Sequence, residues 1–340
     1  MSLRVGVIGT GAIGRDHIRR LTSVVAGVDV VAVADADPGL AGKVAAATGA
    51  RVLPGDRLVA DPEVDAVLVC SWGATHADYV HAAIAAGTPV FCEKPLATTP
   101  EECLAIVEAE VRHGSRLVQV GYMRRYDDAY RALKRELDSG VIGAPLMMHC
   151  AHRNASVPAF YRSADMITDT AVHEIDMVRW MFGTEIVAVR VLRSRASGNA
   201  GDLPDPMLLV LELDGGVLAD VEISVNARYG YDIRGEILGE SGTAALGEPG
   251  AVAVRSAGRL ARPIPVDWRE RFGPAYDAEL RDWAGAVRAG QAPGGPSCWD
   301  GYAATRVSAA ALSSLRTGER VRVSLGDQPQ LYRPELYRRE

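Results

Sequence analysis

Three side chains have the types and settings that proton transfer beside an oxygen atom requires. Lys94 follows an apolar, strand-like run and is one of three lysines in the sequence. Asp169 and His173 are spaced i, i+4 on a predicted helix, so we expect them to share one of its faces. A carboxylate raises the basicity of an adjacent imidazole, and an ammonium group can polarise a substrate oxygen. These residue types predict a general base and an electrostatic stabiliser.

A structural role is the alternative for each of these residues. Lys94 could be a surface lysine before the turn at Pro95, and His173 could be a buried histidine bonded to its neighbour. Asp169 and His173 could also begin a metal site. No third ligand occurs at a suitable spacing, so we expect no metal.

A glycine-rich motif, Gly9-Thr10-Gly11-Ala12-Ile13-Gly14, follows a strand-like run and opens a predicted helix. At this spacing the glycines permit a tight turn, close approach of a pyrophosphate to the backbone, and close packing of the helix on the strand. The phosphates would lie at the helix N-terminus, where free N–H groups favour anions. The motif therefore predicts a bound dinucleotide.

Asp35 ends the second predicted strand, where a carboxylate can accept hydrogen bonds from both hydroxyls of an adenosine ribose. The same carboxylate would repel a 2′-phosphate, and no Lys or Arg follows before Lys43. Asp35 could instead only cap the turn at Asp37-Pro38. We expect NAD as the cofactor rather than NADP.

The 340 residues predict two domains and a tail. Apolar strands alternate with helices over residues 1–121, which predicts an α/β Rossmann domain with a doubly wound parallel sheet. Residues 122–326 are predicted to form an α+β domain with a large, mostly antiparallel open sheet, followed by a tail at 327–340. Within that second domain we expect a hairpin around Asp214–Gly216. The predicted helices there are 126–139, 168–182, 276–289 and 299–317.

Composition excludes several classes of protein. Apolar residues make up 48% and charged residues 24%, with a net charge of −6, which argues against a disordered chain and against binding to nucleic acid or to a membrane surface. No run reaches the ~18 to 20 apolar residues of a membrane span. The cysteines are scattered and odd in number, so we expect free thiols and a cytoplasmic location. They are Cys70, Cys92, Cys103, Cys150 and Cys298.

The motifs occur in one order along almost the whole chain, and together they resemble the glucose-fructose oxidoreductase and inositol dehydrogenase family. The Glu93-Lys94-Pro95 element is specific to that family. Two strings, Met-Arg-Arg-Tyr-Asp at 123–127 and Asp-Thr-x-x-His-Glu-Ile-Asp at 169–176, point to its inositol branch. Ser71-Trp72-Gly73 and His152-Arg153-Asn154 complete the match.

The resemblance implies roles for particular residues and a homotetramer built on the open sheet. Lys94, Asp169 and His173 would be the catalytic set. The cofactor would contact Gly9, Thr10, Gly11, Ala12, Ile13, Gly14, Asp35, Ser71, Trp72, His76, Glu93 and Lys94. The substrate would contact Arg124, His152, Asn154, Asp169, His173 and Tyr231, with Tyr229 as an alternative to Tyr231.

The resemblance further implies NAD-dependent oxidation of a secondary hydroxyl on a cyclic polyol by hydride transfer, with His173 as general base. The expected substrate is myo-inositol, oxidised to 2-keto-myo-inositol (scyllo-inosose). The same chemistry on scyllo-inositol, an aldose or an anhydrosugar is the nearer alternative. A non-catalytic NAD-binding sensor is the more distant one.

Overall fold

The computed structural model describes residues 2–247 and 252–333 and divides the chain into two compact units. The first contains Met1–Tyr122, Tyr276–Arg306 and Leu325–Glu340, and the second contains Met123–Ala275 and Val307–Ser324. These units are compact in space and draw on segments far apart in sequence. The contiguous domain limits predicted above, 1–121, 122–326 and 327–340, stay a prediction.

The first unit contains a six-stranded sheet in the order β3-β2-β1-β4-β5-β6, in which every adjacent pair is parallel. This is the strand order of a doubly wound dinucleotide-binding fold. It confirms the Rossmann prediction. The strands are β1 (Leu3–Ile8), β2 (Val28–Ala34), β3 (Arg51–Val52), β4 (Ala66–Val69), β5 (Val90–Glu93) and β6 (Val118–Gly121).

Local sequence signals account for the helix starts in this part of the chain. Thr99 and Glu102, which are three residues apart, form a capping box, with Pro100 in the first turn. Asp37 caps α2 by accepting hydrogen bonds from the N–H groups of Gly39 and Leu40. The helices are α1 (Ala12–Ser23), α2 (Pro38–Thr48), α3 (Gly55–Val59), α4 (His76–Ala86) and α5 (Pro100–His113).

The core of the first unit lies on the sheet. Val7, Leu68 and Phe91 are fully buried on β1, β4 and β5, in strands that are apolar on both faces. Leu280 and Trp283, far away in sequence, complete the same core. Burial of each such side chain contributes about 1.5–3 kcal/mol, so this cluster holds the ends of the strands in place.

The second unit contains a seven-stranded sheet in the order β12-β11-β7-β10-β9-β8-β15. All adjacent pairs are antiparallel except β7 with β10, which confirms a mostly antiparallel sheet. The expected hairpin at 214–216 joins β9 to β10. The strands are β7 (Pro145–Arg153), β8 (Ile186–Arg193), β9 (Met207–Leu213), β10 (Leu218–Ser224), β11 (Asp232–Gly239), β12 (Thr243–Ala245) and β15 (Val321–Arg322). A separate ribbon pairs β13 (Val254–Ser256) with β14 (Arg259–Ala261).

Two predicted helices differ from the structure in their limits. The helix expected over 168–182 is an α-helix, α7, only over Val172–Phe182, and Met166–Ala171 before it is π-helical. The helix expected to start at Tyr276 starts at Trp268 and runs through Pro274, because Asp267 accepts hydrogen bonds from the first-turn N–H groups. The remaining helices are α6 (Asp128–Asp138), α8 (Trp268–Arg288) and α9 (Cys298–Thr317).

The predicted tail is described as far as residue 333. The Tyr332 side chain is buried, and its hydroxyl donates to Oε2 of Glu110 on α5 at 2.7 Å. The other carboxylate oxygen of Glu110 accepts from the backbone N–H groups of Leu117 and Val118. The described part of the tail is therefore anchored on the first unit, and residues 334–340 lie outside the described residues. Across the described ranges, no helix is both long enough and apolar enough to cross a bilayer.

Candidate active site

The glycine-rich loop leaves room for a phosphate group. A Cβ on Gly9, whose φ is +95°, or on Gly14 would collide with nearby backbone, 1.9 Å from the Gly9 carbonyl oxygen in the second case. A Cβ on Gly11 would meet nothing within 4 Å, so the space beside the start of α1 is open. Helix α1 has no side-chain cap and no acidic residue in its first turn. These features fit the pyrophosphate of a dinucleotide.

Asp35 is joined to that loop by hydrogen bonds. Its Oδ2 accepts from the backbone N–H of Thr10 at 2.6 Å and from the Thr10 hydroxyl at 2.8 Å, and its Oδ1 accepts from the Asp37 N–H at 2.9 Å. Partial burial alone would raise the pKa of Asp35, but these hydrogen bonds hold it below its usual range. Asp35 is therefore an oriented carboxylate that also ties the glycine-rich loop to β2.

Glu93 ends β5 and Lys94 follows it, at the carboxyl edge of the parallel sheet. The Lys94 backbone N–H donates to Oε2 of Glu93 at 3.1 Å. Oε1 of Glu93 lies 2.6 Å from Nε2 of His17, which is fully buried on α1. This contact joins α1 to the end of β5. His17 thus positions the segment that carries Lys94, and the sequence offered no signal for it because 76 residues separate the two partners.

The segment after β4 contains the other residues predicted to contact a cofactor. Trp72 is 79% exposed, and the Ser71 hydroxyl is hydrogen-bonded to that of Thr75 at 2.8 Å. His76 is buried, with its ring nitrogens 2.7 Å from the Pro95 carbonyl oxygen and 3.0 Å from that of Ser71. His76 therefore bridges the segments after β4 and β5. Direct contacts of these side chains with a cofactor stay predictions.

The second unit brings several predicted substrate residues together. The rings of His152 and His173 have centroids 6.4 Å apart, and Tyr231 packs edge-on against His152 at 5.4 Å. Phe272 packs edge-on against Tyr231, with ring centroids 6.2 Å apart. Tyr231 is 4% exposed, and burial raises its pKa to about 12, so the phenol is protonated at neutral pH. Tyr229 is 49% exposed and donates to Asp232, which places Tyr231 rather than Tyr229 beside the histidines.

Arg124, Glu174 and His152 form a buried cluster with exposures of 1%, 1% and 3%. Arg124 forms an ion pair with Glu174, and its Nη2 lies 3.0 Å from Nδ1 of His152. The same His152 nitrogen is 3.0 Å from Oε1 of Glu174. Burial alone would raise the pKa of Glu174, but the Arg124 charge lowers it overall. Burial lowers the pKa of His152, so the ring is neutral and the cluster carries no net charge.

The predicted catalytic residues are divided between the two units: Lys94 lies in the first, and Asp169 and His173 lie in the second. Asp169 is exposed on the π-helical segment, whereas His173 is buried in the first turn of α7. The hydroxyl of Tyr161 lies 3.3 Å from Oδ2 of Asp169, a contact the sequence did not reveal. The catalytic role of all three residues stays a prediction.

Asn154 follows β7 and is held by its backbone. Its N–H donates to the Ser224 carbonyl at 2.8 Å, and its own carbonyl accepts from the Ala227 N–H at 2.9 Å. These two bonds fix the backbone of Asn154, and its half-buried side-chain amide takes no part in them. Its contact with a substrate stays a prediction. In the described residues no group of three or more His, Cys, Asp and Glu side chains could hold a metal ion.

Comparison with known proteins covers both units. A family model described as an oxidoreductase family with an NAD-binding Rossmann fold matches residues 3–122, and the model of that family's C-terminal alpha/beta domain matches residues 134–323. Inositol 2-dehydrogenase 3 of Saccharopolyspora erythraea is 53% identical over 334 residues, 98% of each chain. Inositol 2-dehydrogenase of Acidothermus cellulolyticus is also 53% identical, over 335 residues and 98% of each chain.

A solved structure gives the same result. The crystal structure of myo-inositol dehydrogenase from Lactobacillus casei in complex with NAD(H) and myo-inositol matches with a TM-score of 0.96 and 39% identity. The match covers 98% of this chain and 100% of that one. The chain therefore belongs to the glucose-fructose oxidoreductase and inositol dehydrogenase family of NAD-binding oxidoreductases.

Proposed function

We propose that the chain oxidises the C2 hydroxyl of myo-inositol to the ketone 2-keto-myo-inositol, with NAD as the oxidant. The observation that carries this proposal is the 53% identity, over 98% of the chain, to proteins named inositol 2-dehydrogenase. The fold of the Lactobacillus casei enzyme with NAD(H) and myo-inositol supports it. The likeness to a scyllo-inositol dehydrogenase, at 22% identity, bears on the fold alone.

Bound NAD supplies the acceptor for the hydride that leaves the carbinol carbon. His173 takes the proton of the reacting hydroxyl as general base, so that one proton and one hydride leave the alcohol. Asp169 supports the positive charge that His173 acquires. Lys94 stabilises the negative charge that develops on the substrate oxygen.

The ring hydroxyls are proposed to form hydrogen bonds with Arg124, His152, Asn154 and Tyr231. The packing of Tyr231 and His173 around His152 supports this assignment. Arg124 is buried in its ion pair with Glu174, and its Nη2 lies 3.0 Å from Nδ1 of His152, so it also holds the His152 ring. A site built to bond hydroxyls rejects analogues that lack them, because its buried polar groups are then left unpaired.

A substrate panel tests the proposal. NADH formation is followed at fixed pH with myo-inositol, scyllo-inositol, an aldose and an anhydrosugar, and the product from myo-inositol is identified as the C2 ketone. We expect kcat/KM to be highest for myo-inositol. A higher value for another ring would reassign the substrate, and NAD binding without turnover of any polyol would favour a sensor.

We expect Asp35→Ser to raise the ratio of kcat/KM with NADP to that with NAD by about tenfold or more. The carboxylate that repels a 2′-phosphate is removed, and tenfold corresponds to only about 1.4 kcal/mol. Asp37→Ser is the matched control, because serine also caps helices and Asp37 serves as the cap of α2. An unchanged cofactor ratio in Asp35→Ser would show that another residue selects NAD.

We also propose a homotetramer that assembles through the seven-stranded sheet and resides in the cytoplasm. Leu192, Leu218 and Leu238 are exposed on β8, β10 and β11, which supports a partner surface there. All five cysteines are buried free thiols, which suits a reducing compartment. A monomeric mass by light scattering would overturn the assembly.

A further inference from the structure

Glu174 has no part in the proposed chemistry, although it is a fully buried carboxylate one residue from the proposed base. Its contacts are with Arg124 and with Nδ1 of His152. A buried ion pair adds little stability by itself, because the cost of desolvating two charges offsets their attraction. The arrangement therefore calls for an explanation other than stability.

The cluster lies close to His173. The rings of His152 and His173 have centroids 6.4 Å apart. Nη2 of Arg124 lies 3.0 Å from Nδ1 of His152. One imidazole ring, that of His152, therefore lies next to both the guanidinium group of Arg124 and the ring of the proposed base, and all three side chains are buried. In this setting an uncompensated charge acts strongly on a titrating imidazole.

We propose that Glu174 is a positioning residue that neutralises Arg124 and orients His152, and thereby sets the basicity of His173. This inference rests on the proposed function only for its kinetic readout. No direct contact of Glu174 with substrate or cofactor is proposed. It acts through the net charge of the cluster and through the ring that it holds.

Other charged and titratable groups of the second unit lie near the cluster, and they are left unsubstituted in every test of Glu174. The Tyr130 hydroxyl lies 3.5 Å from Nη1 of Arg124, and Tyr231 packs on His152. Asp127 is paired with Arg271, and Arg125 with Asp176. The groups to be held constant are Tyr130, Cys150, Asp169, Asp220, Tyr231 and Arg271, together with the ion-paired Arg125, Asp127 and Asp176.

The sign of the effect follows from the charges. Glu174→Gln leaves the cluster with a net charge of +1, and a nearby cation disfavours protonation of His173. The base then loses its proton at lower pH, so the acid limb of the kcat/KM profile moves to lower pH. A unit charge at about 10 Å with an effective dielectric constant of ~20 gives a shift of about one pH unit.

The test compares three variants with the unsubstituted protein. Glu174→Gln is expected to shift the acid limb down by about one unit. Glu174→Asp retains the charge and is expected to leave the limb in place, whatever it does to KM. The double variant Arg124→Gln/Glu174→Gln has a neutral cluster, so its limb is expected to return to that of the unsubstituted protein.

The titration of His173 is also measured directly by NMR, in a sample that carries out no turnover. The chain has seven histidines, so ¹⁵N-histidine labelling with NAD bound and no polyol gives few signals, and His173→Gln assigns the one of interest. The titration midpoint of His173 is expected to move in the same direction as the kinetic limb. If no polyol is turned over but this midpoint moves, the proposed function fails and the inference stands.

Three results would overturn the inference. One is a Glu174→Gln variant that folds, judged by circular dichroism, yet has an unshifted limb and midpoint. Another is a Glu174→Asp variant shifted as far as Glu174→Gln. If Glu174→Gln does not fold, the Arg124→Gln/Glu174→Gln variant is decisive. A His173 titration midpoint that differs by about one unit from that of the unsubstituted protein would contradict the proposed role of the cluster charge, and an unchanged midpoint would support it.

Discussion

His173→Ala is expected to lower kcat for myo-inositol by about 10²- to 10⁴-fold at pH 7, because general base catalysis contributes that much. The imidazole is the proposed acceptor of the hydroxyl proton, and alanine has no group that can replace it. Initial rates of NADH formation measure the loss. The acid limb of the pH profile should also disappear, since the titrating base is gone.

The affinity for NAD distinguishes a folded variant that lacks only the general base from a variant that has lost its fold. His173 lies in the second unit, whereas the residues proposed to hold the dinucleotide lie in the first, so the Kd for NAD in His173→Ala is expected to stay within a few-fold. His113→Ala is the matched control, because His113 is exposed at the end of α5 and should leave kcat unchanged. Turnover retained in His173→Ala would remove His173 from the mechanism.

Lys94→Met is expected to lower kcat by about 10²- to 10³-fold, the usual effect of removing one group that stabilises a developing oxyanion. Methionine retains an unbranched, flexible stem and lacks the charge. The measurement is kcat at saturating myo-inositol and NAD, so that weaker cofactor binding does not enter. Lys94→Arg should recover part of the rate, because it restores the charge with a different shape.

Lys43→Met is the control for the loss of a lysine as such. Lys43 is exposed on α2, and its replacement should leave kcat unchanged. A Lys94→Met variant with kcat close to that of the unsubstituted protein would contradict the proposed role. The same variant with normal kcat and a raised KM for NAD would instead make Lys94 a cofactor contact only.

Most elements of the fold could be predicted because their signals are local. The alternating strands and helices predicted over residues 1–121 and the hairpin predicted around 214–216 are both present in the structure. The capping box of α5 is present for the same reason, since caps depend on residues three apart. The helix predicted to start at Tyr276 starts earlier, at Trp268, where Asp267 accepts hydrogen bonds from first-turn N–H groups.

The residues alone were enough to predict a glycine-rich loop for a dinucleotide, a carboxylate at Asp35, and a lysine and a histidine suited to act on an alcohol. The folded chain was needed to show which groups support them. It placed Tyr231 rather than Tyr229 beside His152, put Glu174 against Arg124 across 50 residues, and joined His17 to Glu93 across 76. Motif and helix signals extend over a few residues, whereas these pairings depend on which strands and helices pack together. That packing is set by burial of the whole chain, and no short stretch of sequence contains it.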